Sequence, residues 1–290
     1  MTTQPTEPPL LRIPPIRRSA LSSAATAARW GVVVLVGSLI ATPLLVAVAE
    51  PGPIPVDVVW RSVWSSVLAA SLSMTLAVLA SISQPATNGQ AATRPSVDRL
   101  FASAVDLPLV LPPVVIGLAL LSLLRGPLAG LDDALSITAT AAAVVLAQFA
   151  ATLPLACRLV DVAVHAIDPR PLAAVAAAGG GAMDIAAVRL REAAHPLFAV
   201  ATLIWAAAFA TFGPVLVFAG VTAGRTEVLS TVIYLNVASG ELAAAARLSA
   251  VMIAAAAAVT IAARCVVAER QFHSFRQVAA ADADAGRPDR

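Results

Sequence analysis

The chain has 290 residues, 59% of them hydrophobic and only 12% charged, and its mean hydropathy is +0.85. A soluble globular domain carries about a quarter charged residues, so this composition excludes one and points to an integral membrane protein with the lipid bilayer as its solvent. The formal net charge is +2, every basic side chain besides histidine is arginine, and the absence of lysine excludes a Walker A phosphate loop, whose lysine holds the β- and γ-phosphates.

Residues 1–29 read as a tail. Pro5, Pro8, Pro9, Pro14 and Pro15 make its first part a candidate for disorder. Trp30–Ala49 is the first long run without Asp, Glu or Arg. Arg17-Arg18 ahead of it and Ala47-Val48-Ala49 at its end imitate a cleavable export signal. The run exceeds the ~7–15 residues of a signal's apolar region, which favours a membrane anchor. Further uncharged runs cover Ser62–Ser83, Leu107–Leu124, Ala134–Cys157 and Leu197–Gly224, with a shorter one, Leu248–Ala263, between Arg247 and Arg264. A run of ~18 or more such residues crosses a bilayer as a helix, and long arginine stems extend the last one to the interface. Apolar character is continuous rather than alternating, which argues against an outer-membrane barrel. The expectation is an all-α integral membrane fold: six transmembrane helices, with a first helix at 30–49, a domain over 60–268 and a tail over 269–290.

Arginine sets the orientation. With the N-terminus in the cytoplasm, fifteen arginines lie inside and only Arg61, Arg125, Arg225 and Arg247 outside. The positive-inside rule prefers this arrangement, which places both termini in the cytoplasm. No ionisable residue lies within a span. Asp106, at the cytoplasmic edge of the third run, is expected to act as an interfacial helix cap, with a proton relay as the alternative. In that run Pro112-Pro113 predicts a helix kink, and carbonyls freed by it persist at membrane depth beside protein or a water-filled path. A translocation route beside them is the functional reading, and bundle packing the plain one.

Ile167–Pro196 breaks the apolar pattern. It reads IDPRPLAAVAAAGGGAMDIAAVRLREAAHP, carries Asp168, Arg170, Asp184, Arg189, Arg191 and Glu192, and centres on Gly179-Gly180-Gly181. A polar loop between spans four and five is a candidate docking surface, where glycine lets a partner's backbone approach. Without lysine those glycines are no P-loop, so any ATP and magnesium belong to another subunit. Thr226–Ala245 is moderately apolar and reads as a re-entrant or surface helix outside. Cys157 and Cys265 are expected to be reduced and structural. His165, His195 and His273 are too widely spaced for a metal or catalytic cluster. No catalytic residue, metal or cofactor on this chain, and no nucleic-acid partner, is expected.

Several short segments, in order over Trp60–Arg264, carry a resemblance. Leu107–Gly117, Gly126-Pro127-Leu128, Leu153-Pro154-Leu155, Phe212-Gly213-Pro214-Val215-Leu216-Val217-Phe218-Ala219-Gly220, Gly224-Arg225-Thr226 and Ser239-Gly240-Glu241-Leu242 resemble the permease subunits of type I, binding-protein-dependent ABC importers, in particular the molybdate/sulfate branch. The resemblance implies that 167–196 is the coupling loop docking an ATP-binding subunit. Asp168, Ala174, Gly179, Gly180, Gly181 and Arg189 would be its contact residues. It implies a translocation pathway past Pro112, Pro113, Thr211, Phe212 and Gly213. Arg225 and Thr226 would face an extracytoplasmic binding protein, and a second permease, most simply a second copy, would complete the pore in a bacterial plasma membrane. The family's Glu-Ala-Ala motif has Ala174 in place of its Glu and Arg191 in place of its Pro, and Thr211 stands where a Glu usually precedes Phe-Gly. The implied cargo is an oxyanion: molybdate first, then tungstate or sulfate. Ferric iron, thiamine or a phosphonate, or a secondary carrier, stay open as alternatives.

Overall fold

The computed structural model describes residues 18–82, 103 and 105–285, with side chains from 29 to 264. The tail before residue 18, the expected inside arginines Arg94 and Arg99, and the side chains of Cys265 and His273 lie outside the described residues. Among the described residues every regular element is an α-helix. In chain order these are α1 (Arg18–Ala49), α2 (Val56–Ile82), α3 (Pro113–Arg125), α4 (Ala129–Leu135), α5 (Ala141–His165), α6 (Arg170–Ala177), α7 (Ala182–Ala210), α8 (Gly213–Phe218), α9 (Leu229–Ala238) and α10 (Leu242–Ala285). Five helices contain a segment long and apolar enough to cross a membrane, and the bent pair α3–α4 makes a sixth.

The expected spans are present, but three of them shift. The third is interrupted at Pro112-Pro113, where a kink is expected. A helical stretch at 105–110 stops before Pro112, which is extended (φ −54°, ψ 133°), and α3 starts with Pro113 in its first turn. The residue before a proline is driven out of the helical region, and proline's missing N–H is harmless at a helix start. A second break, with a bend of 85°, falls at 126–128, between α3 and α4. The fourth span starts at Ala141 because residues 136–140 form a tight turn. Ser136 and Ala139 are left-handed there (φ 48° and 59°), and the Thr138 N–H donates to Asp132 Oδ1 at 2.8 Å. The fifth span begins about fifteen residues earlier than the uncharged run. α7 starts at Ala182, so the second half of the expected polar loop is the charged first part of a long helix. It ends at Ala210 because a helix continuing through Pro214 would lose a hydrogen bond and clash with the carbonyl four residues back.

The core is inverted relative to a soluble bundle. On α2 the buried side chains beyond Val58 are small: Ser62, Ser65, Ser66, Ala69, Ala70, Ser73, Ala77 and Ser81, while Leu68, Leu72, Leu76 and Leu79 are exposed. Small residues three and four apart let membrane helices approach closely. α5 and α7 fill the groove with Ala156, Val160, Ala193, Leu197, Ile204 and Ala208. Ser73 Oγ and Thr152 Oγ1 share a hydrogen bond of 2.9 Å between α2 and α5. Most other α2 hydroxyls bond their own helix, as Ser62 Oγ does to Val58 O at 2.7 Å, which lipid requires of a buried donor. A second cluster joins Leu124, Val144, Ala147, Val215 and Phe218, packing the short α8 between α3 and α5. α1 stands apart, exposed along its membrane segment and touching α10.

Candidate functional site

The segment between α5 and α7 folds into a hydrogen-bonded elbow. Asp168 Oδ1 accepts the Arg170 N–H at 2.9 Å, holding the entry to α6. α6 is alanine-rich and closes with a Schellman cap: the Gly180 N–H donates to Val175 O at 3.0 Å and the Gly179 N–H to Ala176 O at 3.1 Å. That cap needs a left-handed residue, which Gly179 supplies at φ +81°. Gly180 is needed for space instead, because a Cβ there would lie 2.5 Å from Val175 Cγ1 and 2.9 Å from Val175 O. The Gly181 N–H donates to Asp184 Oδ2 at 2.9 Å and opens α7, an acidic group at a helix N-terminus. Asp168, Ala174, Gly179 and Gly181 are exposed, and Met183 is 84% exposed. The expected polar loop is thus one short helix and the projecting start of a long one. Arg189 departs from a contact role at the surface: it is 9% exposed on α7.

The residues expected along the pathway come together in space. Gly213 lies against Val114, where a Cβ would meet Val114 Cγ2 at 3.0 Å, and a Cβ on Gly117 would meet Pro214 O at 2.8 Å and Pro214 Cα at 2.9 Å. These glycines seat α8 directly on α3. Pro112 and Pro113 are exposed at the near end of α3. Thr211 ends α7, its hydroxyl donates to Ala207 O at 2.8 Å, and its own carbonyl accepts from Ser230 Oγ at 2.9 Å. Phe212 rests on Tyr234, with ring centroids 4.8 Å apart, and Tyr234 remains 46% exposed. The break in the fifth span is therefore pinned to α3 on one side and α9 on the other.

The opposite end of the bundle carries the turn at 222–227. Arg225 is exposed, but Thr226 is fully buried and its hydroxyl accepts the Thr222 N–H at 2.8 Å. Thr226 shapes the turn and offers no side chain to a partner. Asp106 pairs with Arg158 of α5 through two charge-assisted hydrogen bonds, so it clamps the start of the third span rather than capping a helix or sitting free as a relay. Arg61, Arg158 and Tyr234 escaped sequence reasoning, since their partners are distant in the chain. The serine and alanine stripe of α2 carried a signal, its three-and-four spacing.

An exposed helical elbow, two interrupted spans and a bundle packed through small residues define a multi-pass helical membrane protein. No family model matches the chain. It is 30% identical over 179 residues to the molybdenum transport system permease protein ModB of Azotobacter vinelandii, across 60% of this chain and 79% of that relative. Its fold is similar to the MetNI methionine ABC transporter in inward-facing conformations (TM-score 0.55, 19% identity, 73% of this chain and 95% of that one). It is also similar to a bacterial ABC transporter that imports the acidic polysaccharide alginate (TM-score 0.58, 13% identity, 88% and 97%). The chain belongs to the ABC importer permeases.

Proposed function

We propose that this chain is the translocation subunit of an ATP-driven importer of oxyanions, with molybdate as the first candidate. The observation carrying the substrate is the similarity to the molybdenum permease over most of that relative's length. Thr211, Phe212, Pro112 and Pro113 are themselves uncharged, so they place no carboxylate against an anion. The elbow at 166–184 is the dock for an ATP-binding subunit, which holds ATP and magnesium. Its exposed alanines and Met183 give a small, apolar relief fitted to a groove. That end is cytoplasmic, as are both termini. The chain itself carries no ATPase site and no cofactor, and the exposed faces of α3 and α9 meet a second copy to enclose the path. An extracytoplasmic binding protein delivers the cargo at the far end, and ATP-driven closure moves the elbow and switches the spans between two rigid arrangements. The test is uptake of labelled molybdate by proteoliposomes holding this permease, its ATP-binding subunit and the binding protein. ATP-dependent uptake competed by tungstate is expected. Uptake that persists with an inactivated ATPase overturns the importer, and indifference to oxyanions overturns the substrate.

A further inference from the structure

Two arginines at the elbow-distal end hold main chain. Arg247 Nη1 donates to Glu50 O at 3.1 Å. Arg61 holds the turn at 222–227: Nη1 donates to Glu227 O at 3.2 Å and Nη2 to Gly224 O at 3.0 Å, while Asp57 Oδ2 lies 3.7 Å from Nη2. The Arg61 side chain is only 14% exposed. The turn it holds is already closed internally. The Arg225 and Thr226 N–H groups both donate to Thr222 O, at 3.0 and 3.1 Å, and the Gly224 N–H donates to Glu227 Oε2 at 3.0 Å. Gly224 is left-handed at φ +72°. Just beyond, the Leu229 N–H donates to Ser62 Oγ at 2.7 Å, one residue from Arg61. A solvated loop needs no such bracing. The result is a fixed knob whose exposed tip, Thr222–Arg225, carries one cation without a side-chain hydrogen bond or ion pair among the described residues.

We propose that Arg61 is the positioning residue of a docking knob that presents Arg225 to an acidic surface of the extracytoplasmic binding protein. This rests on the importer reading above. A protein is favoured over lipid headgroups because an arginine that snorkels to lipid needs no fixed backbone, whereas this one stands on a turn held at both ends. The planar fork of arginine bridges two carbonyls, which lysine cannot reproduce with a point charge.

The test uses the complete transporter in nanodiscs of neutral lipid, with ATPase activity titrated against molybdate-loaded binding protein. Arg61→Gln is expected to raise the half-saturating concentration about tenfold while ATPase without binding protein is unchanged, and Arg61→Lys to recover only part of the loss. Arg225→Glu, at an exposed position that folding does not need, is expected to raise it at least as much. The double variant should be no worse than the poorer single one, because both act through one knob. A spin label on Ala223→Cys should become more mobile in the Arg61→Gln background, a readout that needs no partner. Unchanged half-saturation in both single variants, additive losses, or a response that follows anionic lipid instead of binding protein overturns the proposal while leaving the importer standing. A wild-type transporter that binding protein does not stimulate overturns the importer reading and the knob with it.

Discussion

The three consecutive glycines of the elbow should respond differently to the same substitution, and the structure orders them. At Gly180 an added methyl would sit 2.5 Å from Val175 Cγ1 and 2.9 Å from Val175 O. The first clash is relieved by turning the valine off its rotamer, at about 0.5–1.5 kcal/mol. The second involves the carbonyl that accepts the Gly180 N–H at 3.0 Å, so relief weakens a bond worth about 0.5–1.5 kcal/mol net. Gly180→Ala therefore costs on the order of 1–3 kcal/mol, within the usual range for overpacking. Gly179→Ala meets no atom but must hold a left-handed backbone, at about 1–2 kcal/mol. Gly181→Ala meets only Asp184 Oδ2 at 3.8 Å, ordinary contact, and its φ of −77° suits any residue; it should be close to neutral. Because α6 packs on α7 alone among the described helices with several contacts, the strain is released by rotating the elbow and not by unfolding the bundle.

At about 1.4 kcal/mol per decade, the correctly posed elbow falls roughly 5- to 140-fold in Gly180→Ala. The readout is molybdate taken up per ATP hydrolysed in proteoliposomes, beside the thermal midpoint of the detergent-solubilised protein. Expected is a large loss of coupling for Gly180→Ala and Gly180→Leu, an intermediate loss for Gly179→Ala, none for Gly181→Ala, and midpoints within a few degrees of the parent. Wild-type coupling in Gly180→Leu refutes the assignment of this elbow as the transmission point, and equal effects at all three glycines refute the geometric reasoning.

Other substitutions separate packing from polar contacts. Gly117→Val should force α3 from α8, since its Cβ would lie 2.8 Å from Pro214 O, lowering stability by about 1–3 kcal/mol and abolishing uptake; thermal unfolding in detergent reads the first effect. Ser62→Ala leaves the buried Leu229 N–H without its 2.7 Å partner, a loss of about 1–3 kcal/mol visible as faster amide exchange at Leu229. Thr152→Val removes the bond to Ser73 but keeps volume, and should cost under about 1 kcal/mol, as interhelical hydrogen bonds in membranes usually do. Arg158→Gln frees Asp106 and should expose the start of the third span to proteolysis from the elbow side, with Arg158→Gln/Asp106→Asn partly restoring protection.

The spans were legible because uncharged runs of this length have one stable solution in lipid. Their ends were not, because charge marks where a helix leaves the bilayer and not where it stops. α7 carries Arg189, Arg191 and Glu192 in its first half, which hydropathy reads as loop. Pro112-Pro113 and Pro214 were visible, but whether a proline kinks a helix or starts one depends on the residues before it. Ala174 and Gly180 were found by motif; that Gly180 serves space and Gly179 serves backbone sign required coordinates. Thr226 shows the reverse: a polar residue beside an exposed arginine reads as surface, and it is the buried pin of its turn.

The elbow and the proposed pathway face are joined by one uninterrupted element. α7 runs 29 residues from the Asp184 cap to the Thr211 break, about 43 Å at 1.5 Å per residue. Beyond the break, Gly213 and Gly117 fix α8 to α3, and Ser230 fixes Thr211 to α9. A tilt imposed at the elbow must therefore appear at Phe212 and Tyr234, unless the helix bends on the way. Pro196 is the one interior residue of α7 that removes a main-chain hydrogen bond. It lies between buried Ala193 and Leu197, which pack against α2 and α5, so its bend is held by neighbours instead of free. In the proposed importer, the segment beyond Pro196 would be the arm that moves the aromatic pair, and the segment before it the handle that the elbow turns.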